Sequence, residues 1–196
     1  MPEAPKTNRL SRRELLISSA ALAIGLTRSP ASIWAAVAEA GPASASHPQL
    51  LAELCDAVIP ATDTPGASEA GVAAFVELAA AHGLEEAPAD LVDRFAAGLN
   101  QQAGGEYLAL SADERSRLLG EIDTRSFDDA QQGLLPEAMR SWPTLKALIV
   151  IGYYTSEIGA SQELRYKLVP GRFDPDVPFE PGDRAWSSDW VGVKYA

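Results

Sequence analysis

Redox, nucleophilic and metal chemistry each need particular side chains at particular spacings, and this chain of 196 residues offers few of them. It has one cysteine, Cys55, and two histidines, His47 and His82. A haem needs axial His, Met or Cys and an iron–sulfur cluster normally needs four cysteines; neither set is legible here. The histidines are far apart in sequence, without an HxxxH or HExxH spacing to gather zinc, and each is expected at a helix end. No GxGxxG or GxxxxGK cradle for a nucleotide or flavin appears, and neither does a GxSxG or SxxK nucleophile. Cys55 falls on the apolar side of its segment, where a thiol is inert. The neighbouring carboxylates Glu85-Glu86 and Asp128-Asp129 point apart and read as solvated charge. Asp56 is expected to cap or pair within the turn that holds Asp63. Catalytic, cofactor-binding and metal-ligating residues are therefore all expected to be absent.

The elements that would position such residues are helical. From Pro48 to Ile59, Leu50, Leu51, Leu54, Cys55 and Val58 recur at the spacing of a helix that buries one face, and Pro60 stops it. Thr62-Asp63-Thr64-Pro65-Gly66-Ala67 reads as a turn. Ser68 is expected to cap a second helix reaching Ala81 or His82, with Gly83 as its stop and Val72, Phe75, Val76, Leu78 and Ala79 toward the core. Pro88 suits the first turn of a third, whose Leu91, Val92, Phe95 and Leu99 share one side until Gly104-Gly105. Ser111-Ala112-Asp113-Glu114 is a capping box for a fourth, with Leu118, Leu119 and Ile122 on one face. Ser141-Trp142-Pro143 opens a fifth running through Leu145, Leu148, Ile149, Ile151 and Gly152 to Tyr153-Tyr154. Its centre is apolar almost all round, which makes it the buried helix. No stretch alternates with a period of two and no repeat of fixed period appears. The expected fold class is all-α, a compact multi-helix domain over residues 39–167.

Residues 168–196 differ. Pro170, Pro175, Pro178 and Pro181 forbid a regular helix, yet Phe173, Phe179, Trp186, Trp190 and Tyr195 make the segment too aromatic for disorder by composition. Rings of that size need a surface to bury against. The tail therefore either wraps its own helical core or lies partly on another protein.

The N-terminus carries a different signal. Arg12-Arg13, then an apolar run from Leu15 to Leu26, then small residues around Ala36-Val37-Ala38, match the charged, apolar and cleavable zones of a bacterial export leader, here of the twin-Arg kind. Residues 1–38 are expected to form this leader, with Ala38–Glu39 and Ala40–Gly41 as the two candidate cleavage bonds and retention as the alternative. The run is shorter than the roughly 20 residues of a bilayer span, so no permanent membrane span is expected. The twin-Arg translocase accepts folded cargo, which places the chain in the periplasm and points to a cofactor-loaded protein or its tightly bound partner.

The sequence totals 16 basic and 27 acidic residues. Positions 1–38 hold five basic and two acidic ones, which leaves 11 against 25, a net charge of −14, on the remainder. That surface lacks the Lys and Arg clusters on which nucleic acids and anionic lipid depend, and excludes nucleic acid as a partner. A single cysteine allows no intrachain disulfide.

Two stretches carry a family resemblance. Leu51-Ala52-Glu53-Leu54-Cys55-Asp56-Ala57-Val58-Ile59-Pro60-Ala61-Thr62-Asp63-Thr64-Pro65-Gly66-Ala67 resembles the opening motif of the gluconate 2-dehydrogenase subunit 3 family. Gly152-Tyr153-Tyr154-Thr155-Ser156-Glu157, followed by Tyr166, Val169-Pro170-Gly171 and Arg184-Ala185-Trp186-Ser187, is similar to its closing motif. The resemblance implies a small non-catalytic subunit that pairs with a large FAD-dependent oxidoreductase of the glucose–methanol–choline type. The large subunit oxidises a sugar, sugar acid or glucoside and passes electrons on, often to a multihaem cytochrome c. The resemblance also implies that Arg12-Arg13 direct the export of both proteins through the twin-Arg translocase. FAD is then expected in the partner and no cofactor in this chain. Trp and Tyr supply much of the energy of stable interfaces, so Trp142, Tyr153, Tyr154, Trp186 and Trp190 are the expected partner contacts. The competing readings are a free-standing periplasmic helical enzyme using carboxylates such as Asp56 and Asp63, or a periplasmic scaffold.

Overall fold

The computed structural model describes residues 29–40, 46–167, 176 and 178–187. The export pair Arg12 and Arg13, and the tail aromatics Phe173, Trp190 and Tyr195, lie outside the described residues. Among the described residues seven α-helices follow in order: α1 (Pro30–Ala40), α2 (Pro48–Val58), α3 (Val72–Ala81), α4 (Leu91–Ala103), α5 (Ala112–Ser126), the single turn α6 (Asp129–Gln132) and α7 (Trp142–Thr155). Two-residue strands β1 (Arg165–Tyr166) and β2 (Trp186–Ser187) close the series. The domain is all-α. Among the described residues, no helix is long and apolar enough to cross a membrane.

At the centre lies α7, touching α1, α2, α3, α4 and α5. Its residues Trp142, Leu145, Leu148, Ile149 and Tyr153 are buried, while Val150 and Tyr154, four positions apart, mark a face that stays partly exposed on a helix whose sequence is apolar almost all round. Around it gather Leu51 and Leu54 of α2, Phe75 and Val76 of α3, Leu91, Phe95 and Leu99 of α4 and Ile122 of α5 in one continuous core. The rings of Phe95 and Trp142 stack with centroids 5.4 Å apart. A close approach of α3 to α7 is set by Gly152. A Cβ there would stand 2.7 Å from the Phe75 ring and 2.9 Å from a Val72 methyl, so α3 reaches the α7 backbone only because position 152 has no side chain.

The helix ends follow local chemistry. Ser111 and Glu114 form the capping box, with Ser111 donating its backbone N–H to Glu114 Oε2 at 2.9 Å. Gly104 ends α4 and Pro48 begins α2, as the sequence predicts. Ser68 is a correction: α3 starts only at Val72, after Gly71, and Ser68 serves the preceding turn instead. Its backbone N–H and hydroxyl both donate to the carboxylate of Asp56, at 3.1 and 2.7 Å. A long-range acceptor has displaced the local cap.

Helix α1, the single turn α6 and the strand pair β1–β2 are absent from the sequence-based expectation. Helix α1 covers residues assigned by sequence to the leader, and it is packed, with Ile33 only 1% exposed. Strands β1 and β2 pair in parallel, Arg165 opposite Trp186 and Tyr166 opposite Ser187. Arg165 and Lys167 donate their N–H groups to the carbonyls of Ala185 and Ser187, both at 2.8 Å. Two residues per strand are too few to register as alternation.

Gly152→Val is expected to force α3 off α7 and to destabilise the domain by about 1–3 kcal/mol. Thermal unfolding followed by circular dichroism measures it, and an unchanged melting temperature would contradict this account of the α3–α7 contact.

Candidate functional site

The turn between α2 and α3 folds back tightly on itself. Ala67 donates its N–H to Ile59 O at 3.0 Å and Thr62 donates to Thr64 O at 3.0 Å. At Gly66 a Cβ would come within 2.7 Å of the Ala61 nitrogen and 3.1 Å of Ile59 O, so only glycine lets the two limbs of the turn meet.

Three residues from the far end of the chain hold this turn. The Tyr153 hydroxyl, at the end of α7, donates to Pro65 O at 2.9 Å. The Thr64 hydroxyl, itself buried, donates to Glu163 Oε2 at 2.6 Å. Arg184 stands 3.7 Å from Asp63 and also donates to Gln162 O. The opening motif thus meets Tyr153 and Arg184 of the closing motif in three dimensions, while Val169-Pro170-Gly171 of that motif lies outside the described residues. Glu163 is not singled out by the sequence, because no local spacing links it to Thr64, 99 positions earlier.

Beside this junction the surface is aromatic. Tyr154 is 39% exposed and its ring meets Tyr153 edge-on, centroids 5.3 Å apart. Burial, then the charge of Glu163, push its phenol pKa up. Trp186 is 60% exposed and Phe179 75%. The guanidinium of Arg165 lies over the Trp186 ring at 5.6 Å and pairs with Asp183 at 2.7 Å. The five aromatics expected at a partner surface therefore divide. Tyr154 and Trp186 present their rings outward. Trp142 and Tyr153 are each 1% exposed and serve the core, Trp142 through Phe95 and Tyr153 through the turn. Trp190 lies outside the described residues. On a helix that is apolar all round, periodicity does not tell Tyr153 from Tyr154, which stand about 100° apart around the axis.

The residues with chemical potential are otherwise engaged. Cys55 is fully buried and its pKa is pushed up to about 12 by burial, then by the neighbouring charge of Asp56. Asp56 is held by Ser68. Asp63 accepts from Thr62 at 3.1 Å and has its pKa lowered, first by that bond and further by Arg184. His47 pairs with Asp93 at 3.0 Å, and His82 is the residue that follows α3. Glu85 and Glu86 lie exposed in a tight turn, and Asp128 caps α6 through the N–H of Ala130. Among the described residues, no three of His, Cys, Asp and Glu gather as a metal site.

A cleft of about 470 Å³ opens between α2, α5 and α7, lined by Glu53, Asp56, Tyr107, Asp123, Trp142 and Lys146 among others. Several of its polar groups are paired internally. Glu53 binds Arg115 at 2.6 Å, and Asp123 accepts from Trp142 Nε1 at 2.7 Å and from Lys146 Nζ at 2.6 Å. Burial, then the Glu53 carboxylate, raise the Tyr107 phenol to about 12.

A family model described as gluconate 2-dehydrogenase subunit 3 matches residues 45–171, more than half of the chain. The match takes in the α2–α3 turn, α7 and β1, and leaves α1 and β2 outside. No curated protein and no solved structure matches the chain.

Burial acts to raise the pKa of Asp123, but the bonds from Lys146 and Trp142 and the Lys146 charge outweigh it and hold the carboxyl below its ordinary value. A carboxylate lowered in the folded state contributes stability above its unfolded pKa and loses it as pH falls through the folded one. Asp123→Asn is therefore expected to melt a few degrees lower than the parent near neutral pH, with the difference closing below about pH 4. Thermal melts across pH check this, and a difference that persists unchanged into acid would refute it.

Proposed function

The chain belongs to the gluconate 2-dehydrogenase subunit 3 family, and from that membership we propose that it is the small, non-catalytic subunit of an exported sugar or sugar-acid dehydrogenase. Its partner is a large flavoprotein of the glucose–methanol–choline type, which binds FAD and oxidises a CH–OH group of gluconate, glucose or a glucoside. Electrons leave the complex for an acceptor such as a cytochrome c. The small subunit supplies a docking surface and the export address.

One observation carries this reading. The α2–α3 turn is anchored from within by Tyr153, Glu163 and Arg184, while the neighbouring Tyr154, Trp186 and Phe179 keep their rings in solvent. Large exposed rings beside a rigid turn are what stable protein interfaces use as anchors, because they bury much area at little cost in side-chain entropy. Arg165 and Arg184 each stand beside an acid of this chain, Asp183 and Asp63, which fixes the side chains around the exposed rings. The burial of Cys55 and the engagement of Asp56 by Ser68 support assigning the oxidation chemistry to the partner.

Pull-down of the tagged full chain from its own host is expected to return a flavin-containing protein with dye-linked sugar-oxidising activity. The double substitution Tyr154→Ala with Trp186→Ala should weaken that association at least about tenfold. Oxidation by the purified chain alone, or undiminished binding by the double variant, would overturn the assignment. The export role is tested by Arg12→Lys with Arg13→Lys, which should leave both proteins in the cytoplasm. Continued export of the flavoprotein would exclude an escort.

A further inference from the structure

Helix α1 begins as a self-contained unit. The Ser32 backbone N–H donates to Ser29 Oγ at 3.3 Å, the Ser32 hydroxyl donates to Ser29 O at 2.7 Å, and the first helical residue is Pro30. Proline is suited to a first turn and has no N–H with which to continue a helix from the preceding residues. A serine cap followed by proline thus makes Ser29 a start point.

The helix then docks on the finished core by one face, with Ile33, Trp34 and Val37 at the i, i+1, i+4 spacing. Ile33 is part of the buried cluster, and Trp34 and Val37 pack against it. The Trp34 ring lies 5.1 Å from that of Phe75 in α3. Its indole Nε1 donates to Thr155 Oγ1 at the end of α7, at 3.1 Å. Thr155 in turn donates to Ile151 O at 2.6 Å, so its hydroxyl is fixed as the acceptor for Trp34. These contacts span 121 positions of sequence and can form only once α3 and α7 are assembled.

We propose that α1 is an integral helix of the finished subunit, and that any removal of the leader cuts before Ser29, not after Ala38 or Ala40. Two physical reasons stand behind this. Loss of α1 would bare the apolar face of α3 that carries Phe75, next to the close α3–α7 contact at Gly152. A peptidase also takes its substrate as an extended strand, whereas Ala36, Val37 and Ala38 are helical and Val37 is packed. The second reason rests on the export reading above, since it requires the chain to reach the peptidase already folded. The first does not.

The test has two arms. A C-terminally tagged full-length chain is produced in its host, and the N-terminus of the exported form is read by intact mass. The expected product begins at or before Ser29; a product beginning at Glu39 or Gly41 would overturn the proposal. Should the chain stay in the cytoplasm with its leader intact, the export reading fails, and the second arm decides on α1 alone. In the full-length protein, Ile33→Asp is expected to lower the melting temperature by roughly 5–10 °C. Trp34→Phe and Thr155→Val should each lower it by less, and together by less than the sum of the two, because both break the same hydrogen bond. Unchanged melting of Ile33→Asp, or strict additivity of the pair, would show α1 to be a passenger.

Discussion

Helix α3 can lie against the backbone of α7 only because position 152 carries no side chain, and the rest of the protein is arranged around that contact. With Phe75 and Val72 already at the distance a methyl group would occupy, α3 can lie against α7. With α3 in place, α1 finds its seat and the α2–α3 turn is brought over the end of α7. The same helix therefore governs both the core and the surface that is offered outward. It begins at the Trp142–Phe95 stack and ends in the Tyr153–Tyr154 pair.

That pair shows how a fold divides labour between neighbours in sequence. Tyr153 turns inward and uses its hydroxyl on a backbone carbonyl of the turn, so that a rigid loop rests on a rigid helix. Tyr154, rotated about a quarter turn away, keeps its ring accessible against the edge of its buried neighbour. The edge-to-face contact favours one orientation of the exposed ring. The short β1–β2 ladder does the same for Trp186, because Arg165 is held by Asp183 on one side and stacks on the indole with its cationic face.

Much of this was legible before any coordinates. The helical period of Leu50, Leu51, Leu54, Cys55 and Val58, the capping box at Ser111 and the all-round apolar character of α7 each act over a few residues, and a sequence displays such signals directly. The role of Ser68 is not legible for the opposite reason, since its partner Asp56 lies in a preceding helix and no local pattern announces the bond. Helix α1 was masked by an ambiguity of composition: Ala36, Val37 and Ala38 suit a cleavage zone as well as a helix, and only the spacing of Ile33, Trp34 and Val37 separates the two. The resemblance that linked the α2–α3 turn to the end of α7 named both halves of the junction. What it lacked was Glu163, whose role appears only when Thr64 is seen against it.

The buried sulfur of Cys55 has a consequence of its own. A thiol reacts as its thiolate, and with a pKa near 12 in the closed interior of the core almost none is present at neutral pH. Thiol-directed reagents would meet this atom only in molecules whose α2 has left the core. Labelling kinetics at this single site would therefore count opening events, giving the native chain a built-in clock for its own breathing without any engineered probe.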